Sequence, residues 1–399
     1  MDSRTALEAS KPQHSGFTAS IISAGLSASL VGFAGSVALN LEAARAIGAT
    51  PEQTSSWVMA LCLGIAATSL FLSLRHRMPI PTAWSTPGAA LIATTSVGVD
   101  MNQAIAAFLF SAVLLLATAF IGPLGRLMDR LPKPLAAAML AGILIRFCLN
   151  LVGAAEVDPV LVLPLVVVFF LALRFVPGMA VLIVILAGGL IALMGGMIAP
   201  DCCQVTLSTP IWIAPDFQVP VLIGLGLPLY VVTMTTQNLS GLAVLKADGY
   251  APSPKSCLGT TGLASLLLAP FGAHGVCLAA ITTSICSGPS CHADPARRWM
   301  AGCVVGACYL GFAAFADSAI ALLAALPAAF ITTIVGTALF APFQASIKVA
   351  LNNGPSMDRA ALATFIVAAS GVSFLGIGSA LWALFAGLAI YAMSDPKSR

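Results

Sequence analysis

Histidine is the side chain whose ordinary pKa, about 6.5, lets it exchange a proton between pH 5 and 8. One histidine of this chain has an unusual setting. His274 lies in "PFGAHGVCLAAITTSIC" (270–286), an apolar stretch, whereas His14, His76 and His292 have polar surroundings. Few other polar groups share that setting: Gln237 and Asn238 in "TMTTQNLSG", and Trp84, Ser85 and Thr86 in "PIPTAWSTPGAALIATTS" (79–96). No acidic residue accompanies them, since Glu42, Asp100, Glu156, Asp201, Asp216 and Asp317 fall at or beyond the outer ends of the apolar stretches. Hydrogen-bond donors, one titratable ring and no fixed negative charge are the equipment for holding an anion and moving a proton.

The backbone around these residues points the same way. Proline lacks an N–H and disfavours helix in the residue before it, so 79–85 is expected to be extended. Thr86 is the expected N-cap and Pro87 the first helical residue, with helix continuing to about Gly98. The second stretch behaves alike: Pro270 to His274 reads as non-helical and Gly275 to about Cys286 as helix. Helix N-termini present free N–H groups and about half a positive charge, so two of them at one place form an anion site without lysine or arginine. Glycine at 88, 272 and 275 would let a planar ligand approach backbone, and Trp84 could stack on it. The candidate substrate-binding residues are therefore Trp84, Ser85, Thr86, Pro87, Gly88, Ala89, Gln237, Asn238, Gly272, Ala273, His274, Gly275 and Val276. His274 is the candidate proton-coupling residue.

The elements that must position these groups are membrane helices. The 399 residues are 59% hydrophobic and 8% charged, against about 25% charged in a soluble domain. Apolar stretches recur at about 17–25 residues, the length that spans a hydrocarbon core of roughly 30 Å. They divide into fourteen segments: 17–39, 53–74, 79–98, 103–122, 132–153, 157–174, 176–199, 217–245, 254–269, 270–287, 299–316, 318–350, 358–375 and 377–393. The first is too long for a signal-peptide core and reads as a retained span. With the N-terminus inside, 16 of the 18 Lys and Arg residues fall on the cytoplasmic side, and only Arg45 and Arg146 do not. That bias supports an even span count and two cytoplasmic termini.

Three echoes recur in order: "RAIGATP" (45–51) with "KADGYAP" (246–252), "GAALIAT" (88–94) with "GVCLAAI" (275–281), and "LPKPLAAAMLAGIL" (131–144) with "LPAAFITTIVGTAL" (326–339). Two repeats of seven spans follow, the second inverted because seven is odd. The expected division is a tail at 1–16, a first repeat at 17–200, an extracytoplasmic linker at 201–216, a second repeat at 217–393 and a tail at 394–399. The ten cysteines show no C-x-x-C pairing. No cofactor, metal, nucleophile-elbow or zinc-helix motif appears, which argues against an enzyme, and nothing points to nucleic acid.

"PIPTAWSTPGAAL", "TQNLSGLAVLKADGY" and "PFGAHGVCLAAITTSIC", with the span pattern, resemble the benzoate/proton symporter (BenE) family over essentially the whole chain. That family in turn resembles nucleobase and sulfate-type anion transporters. The resemblance implies an all-α polytopic fold of fourteen transmembrane segments with a core domain (spans 1–4 and 8–11), a gate domain (spans 5–7 and 12–14) and substrate between broken spans 3 and 10. It places the nucleobase transporters' two acidic positions on Gln237 and His274, and loss of both carboxylates suits an anionic ligand. The resulting expectation is a secondary active transporter of the bacterial cytoplasmic (inner) membrane, importing benzoate or a similar aromatic carboxylate by proton symport with alternating access, as a monomer or homodimer. A passive organic-anion channel or uniporter is the alternative.

Overall fold

Proline and polar caps set where the helices start. The structure, a computed structural model, describes residues 17–95, 98–123, 125, 131–197, 206–372, 374 and 378–394. The expected tail at 1–16, most of the C-terminal tail and residues 198–205 around the expected linker lie outside these. Helices α1 (Ala19–Ala34) and α2 (Val37–Ala46) precede α3 (Pro51–His76), which opens with Pro51 and a reciprocal Thr50–Gln53 capping box. Strand β1 (Thr82–Trp84) leads into α4 (Thr86–Thr95), and α5 (Met101–Phe120) starts from an Asp100–Gln103 capping box. Then come α6 (Lys133–Val157), α7 (Pro159–Phe175) and α8 (Ala180–Met194).

The second half of the chain runs α9 (Val219–Ala247), α10 (Pro254–Leu268), β2 (Val276–Leu278), α11 (Ala280–Ser287) and α12 (Trp299–Ala314). It ends with α13 (Ala316–Ala324), α14 (Ala328–Ala350), α15 (Pro355–Ser370) and α16 (Ser379–Ser394). Within α9 two stretches, Leu222–Gly226 and Thr233–Asn238, widen into π-type turns, a distortion found often at functional sites.

Each of the fourteen expected segments contains helix, but their lengths differ. Among the described residues seven spans, counting α1 with α2 and α8 from Pro177, are long and apolar enough to cross a membrane by length and composition, or eight if α12 and α13, bent by 64°, count together. The protein is a mostly helical polytopic membrane protein. The first expected span is interrupted at Gly35–Ser36, between α1 and α2.

Packing forms two groups. In one, α14 and α15 lie along α6, α16 lies on α15, and α7 packs on α8 and α14. In the other, α12 packs on α3, α10 on α5 and α3, α1 on α11 and α12, and α2 on α4. The groups meet where α4 and the Thr233–Asn238 turn touch α6, where α1 touches α8, and where α2 and α4 touch α14 and α16 respectively. Among the described residues all eight cysteines are free thiols, six of them buried.

Candidate functional site

The broken elements meet as a two-stranded sheet. β1 pairs antiparallel with β2, with Thr82 opposite Leu278, Ala83 opposite Cys277 and Trp84 opposite Val276. Backbone at membrane depth needs protein partners for each polar group, and the flanking helices supply them as hydroxyls. Ser69 Oγ of α3 accepts from the Thr82 N–H at 2.9 Å, and Ser73 Oγ from the Ile80 N–H at 3.3 Å. On the other side, Ser265 Oγ of α10 accepts from the Val276 N–H at 2.8 Å and donates to the Val276 carbonyl at 3.2 Å. Asn238 Oδ1 accepts from the Leu278 N–H at 3.0 Å. Pro79 and Pro81 bring no N–H that would need a partner.

Antiparallel pairing puts the two half-helices at opposite ends of the ladder. α4 leaves after Trp84, beside Val276, and α11 leaves after Leu278, beside Thr82. Three residues at about 3.3 Å each separate the helix starts by roughly 7–10 Å. The two starts are finished differently. Ser85 Oγ accepts from the Gly88 N–H at 3.1 Å and the Ser85 carbonyl from the Ala89 N–H at 2.8 Å, so Ser85 is the cap, one residue before the expected Thr86. Thr86 is the first helical residue and Pro87 the second, and α4 runs to Thr95.

In the second stretch the helix begins at Ala280, because Gly275 to Leu278, expected as helix, are drawn out straight by β1. Its N-cap Ala279 offers no side-chain acceptor. The expectation that Gly88, Ala89 and Val276 amides are available to a ligand is thus corrected: all three bond to protein.

His274 ties the two breaks together. It is 2% exposed; Trp57 Nε1 lies 3.0 Å from its Nδ1, and its Nε2 lies 2.9 Å from the Ser85 carbonyl oxygen. An indole N–H only donates, so Nδ1 is the acceptor, Nε2 carries the hydrogen, and the ring is neutral. Ser85 completes the junction: its N–H donates to the Gly275 carbonyl at 3.1 Å and its Oγ bonds Thr233 Oγ1 at 2.7 Å. Gly272, at φ +103°, turns the chain where a Cβ would stand 2.7 Å from Trp57 Cβ, which leaves room for glycine only.

Of the expected residues, Trp84, Ser85, Ala89, Ala273, His274 and Val276 are buried in this junction, and Pro87, Gly88 and Gly275 are also buried. Thr86 is half-buried, its Oγ1 3.1 Å from Ser36 Oγ at the α1–α2 break. Asn238 reaches the junction through Leu278, and its Nδ2 has no partner among the described residues. Gln237 is half-buried and joins none of these bonds. Sequence reasoning missed Trp57, Thr233, Ser265 and Tyr309. The Tyr309 hydroxyl is buried without a partner among the described residues, and its ring lies 6.1 Å from that of Trp84, which lies 5.6 Å from Phe33. Hydroxyls spaced i, i+4 within an apolar helix, such as Ser69 with Ser73 and Thr261 with Ser265, are the signal that marks the supporting helices. Among the described residues no Asp or Glu bonds to the junction, so it is a donor-rich, uncharged site with an aromatic flank.

Known proteins share this arrangement of chain. The family described as benzoate membrane transport protein matches residues 15–393. A benzoate membrane transport protein of Acinetobacter baylyi is 33% identical over 376 residues, covering 94% of this chain and 95% of its own. The inner membrane protein YdcO of Escherichia coli is 38% identical over 370 residues, covering 93% and 94%. Among solved structures, the transmembrane domain of the cyanobacterial bicarbonate transporter BicA superposes with a TM-score of 0.60 at 14% identity, over 93% of this chain and 97% of that one. The murine anion transporter Slc26a9 in its inward-facing state gives 0.63 at 13% identity, over 98% and 70%. These likenesses show the fold.

Proposed function

The chain belongs to the benzoate membrane transport protein family, and from that premise we propose that it imports benzoate or a similar aromatic carboxylate with protons, by alternating access. It is a membrane transporter and not an enzyme, as the family description and the Acinetobacter relative's name state. The observation that carries the substrate class is the β1–β2 ladder, with a half-helix start at each end and, among the described residues, no carboxylate bonded to it. A carboxylate lying along the ladder meets the uncapped start of α11 and the Thr86 hydroxyl, while an aromatic ring lies against Trp84 and Phe33. A fixed acid there would repel it.

Burial of the junction supports the carrier reading, since substrate reaches it only when the group around α3, α4 and α11 parts from the group around α6 and α14. These are the proposed core and gate, in two inverted seven-span repeats with both termini cytoplasmic, in a bacterial inner membrane. Import of a lone anion against the potential costs about 2.3 kcal/mol per 100 mV, which a co-transported proton offsets. His274 is the proposed proton carrier: to accept a proton at Nδ1 it must lose the Trp57 N–H, so protonation is tied to movement of α3 against β2.

Countertransport tests the carrier claim. Vesicles preloaded with unlabelled benzoate are expected to take up labelled benzoate several-fold faster than empty ones. A channel gives no such acceleration, and its absence would remove alternating access.

A further inference from the structure

Each half-helix of the junction ends against a guanidinium, and the two are used differently. At the end of α11, Arg298 is 6% exposed and bonded out: Nη1 donates to the Ser287 carbonyl at 2.6 Å, Nε to His292 at 2.7 Å and Nη2 to Ala293 at 3.4 Å. All three carbonyls are local, so Arg298 is a fixed cap. At the end of α4, Arg146 comes from a different packing group. It is the fourteenth of the 25 residues of α6, inside a helix long and apolar enough to cross a membrane. Among the described residues its one hydrogen bond runs from Nη1 to the Thr94 carbonyl at 3.2 Å, and no acid pairs with it. Nη1 also lies on Gly371, which ends α15 in the left-handed conformation at φ +65°; a Cβ there would fall on the guanidinium.

Two helix C-termini, one from each packing group, therefore offset this cation in place of a carboxylate. That is a reversible arrangement, because the Thr94 bond is broken whenever α4 moves relative to α6. Arg146 is half-buried, carries five N–H donors in a fork that matches a carboxylate, and spends one of them on the described residues. Arg146 also departs from the basic residues expected on the cytoplasmic side, and the other exception, Arg45, is paired with Glu42. A charge kept inside a membrane helix, on a seam that the proposed transport cycle opens, calls for a task.

We propose that Arg146 is a second anion-binding group, which receives the carboxylate at the α4–α6 seam, on the face where α4 ends, before it passes to the β1–β2 ladder. The assignment rests on the aromatic-carboxylate reading above. With the N-terminus cytoplasmic, that face is the outer one.

The test is the Michaelis constant for benzoate measured from each face, in right-side-out and inside-out membrane vesicles, for the parent, Arg146→Gln and Arg146→Lys. Maximal rates are free to change, because the driving force fixes only the ratio of Vmax/KM in the two directions. Expected is a rise in KM of about tenfold for Arg146→Gln on the face where α4 ends, the loss of a charge-assisted contact. KM on the other face stays within about twofold. Arg146→Lys, which keeps the charge and loses the fork, falls between, and decides the matter alone if the Gln variant does not fold. An unchanged KM on both faces, or an equal rise on both, would overturn the proposal. A parent that takes up no benzoate from either face would instead remove the transport reading on which it rests.

Discussion

Replacing His274 separates the bridge it makes, from Trp57 to the Ser85 carbonyl, from its proposed duty as proton carrier. Its Nδ1 accepts from Trp57 and its Nε2–H donates to the Ser85 carbonyl, at 3.0 and 2.9 Å, with its ring 5.7 Å from that of Trp57 and 6.1 Å from that of Phe108. His274→Ala leaves two buried groups unpaired at about 1–3 kcal/mol each. The total of about 2–6 kcal/mol is a large part of the 5–15 kcal/mol that holds a typical domain together. Inactivity of that variant says nothing about protons.

His274→Gln retains an amide long enough to reach the Ser85 carbonyl, so it loses about one bond, roughly 1–3 kcal/mol, and it does not titrate. The variant is expected to remain monodisperse in detergent and to exchange labelled for unlabelled benzoate at equal concentrations, but not to accumulate it. At one proton per benzoate a pH difference of one unit is worth about 1.4 kcal/mol, or about tenfold accumulation. The parent should approach that ratio and the Gln variant a ratio of about one, both counted above protein-free vesicles because the neutral acid crosses lipid unaided. A Gln variant that accumulates like the parent would refute the role given to His274.

Three further outcomes follow from the junction. Ser85→Ala removes the cap on Gly88 and the partner of Thr233, so it should cost about 1–3 kcal/mol in thermal unfolding, more than Thr233→Ala, which leaves the cap; equal losses would contradict the capping role. Gly272→Ala forces a Cβ against Trp57 at a positive φ and should lower stability by about 1–3 kcal/mol, with parent-like melting as the contrary result. Asn238→Asp keeps an acceptor for the Leu278 N–H yet adds a negative charge beside the ladder, so benzoate KM should rise about tenfold in a folded protein; an unchanged KM would place the anion elsewhere.

Local chemistry was legible and non-local pairing was not. Pro79, Pro81 and Pro87 act on their own neighbours, so the first break was read to within one residue, with Ser85 rather than Thr86 as cap. Val276 to Leu278 have side chains that suit helix or strand equally, and only the presence of Thr82 to Trp84 beside them decides for strand, which moved the second helix start from Gly275 to Ala280. The Gly35–Ser36 break contains no proline and read as continuous span. His274 was found because an imidazole in an apolar run is conspicuous; Trp57, its partner 217 positions away in sequence, looked like any aromatic in a membrane helix. Arg146 was visible as an exception to the charge bias, but its place between two helix ends depends on how α6 packs.

Accumulation of labelled benzoate by proteoliposomes, with an inward proton gradient imposed or collapsed by an ionophore, tests the account most directly. Uptake above that of protein-free vesicles that rises past equilibrium and collapses with the gradient is the expected result. Protein-dependent equilibration to the same level with and without the gradient would contradict proton symport and leave a passive pathway for the anion.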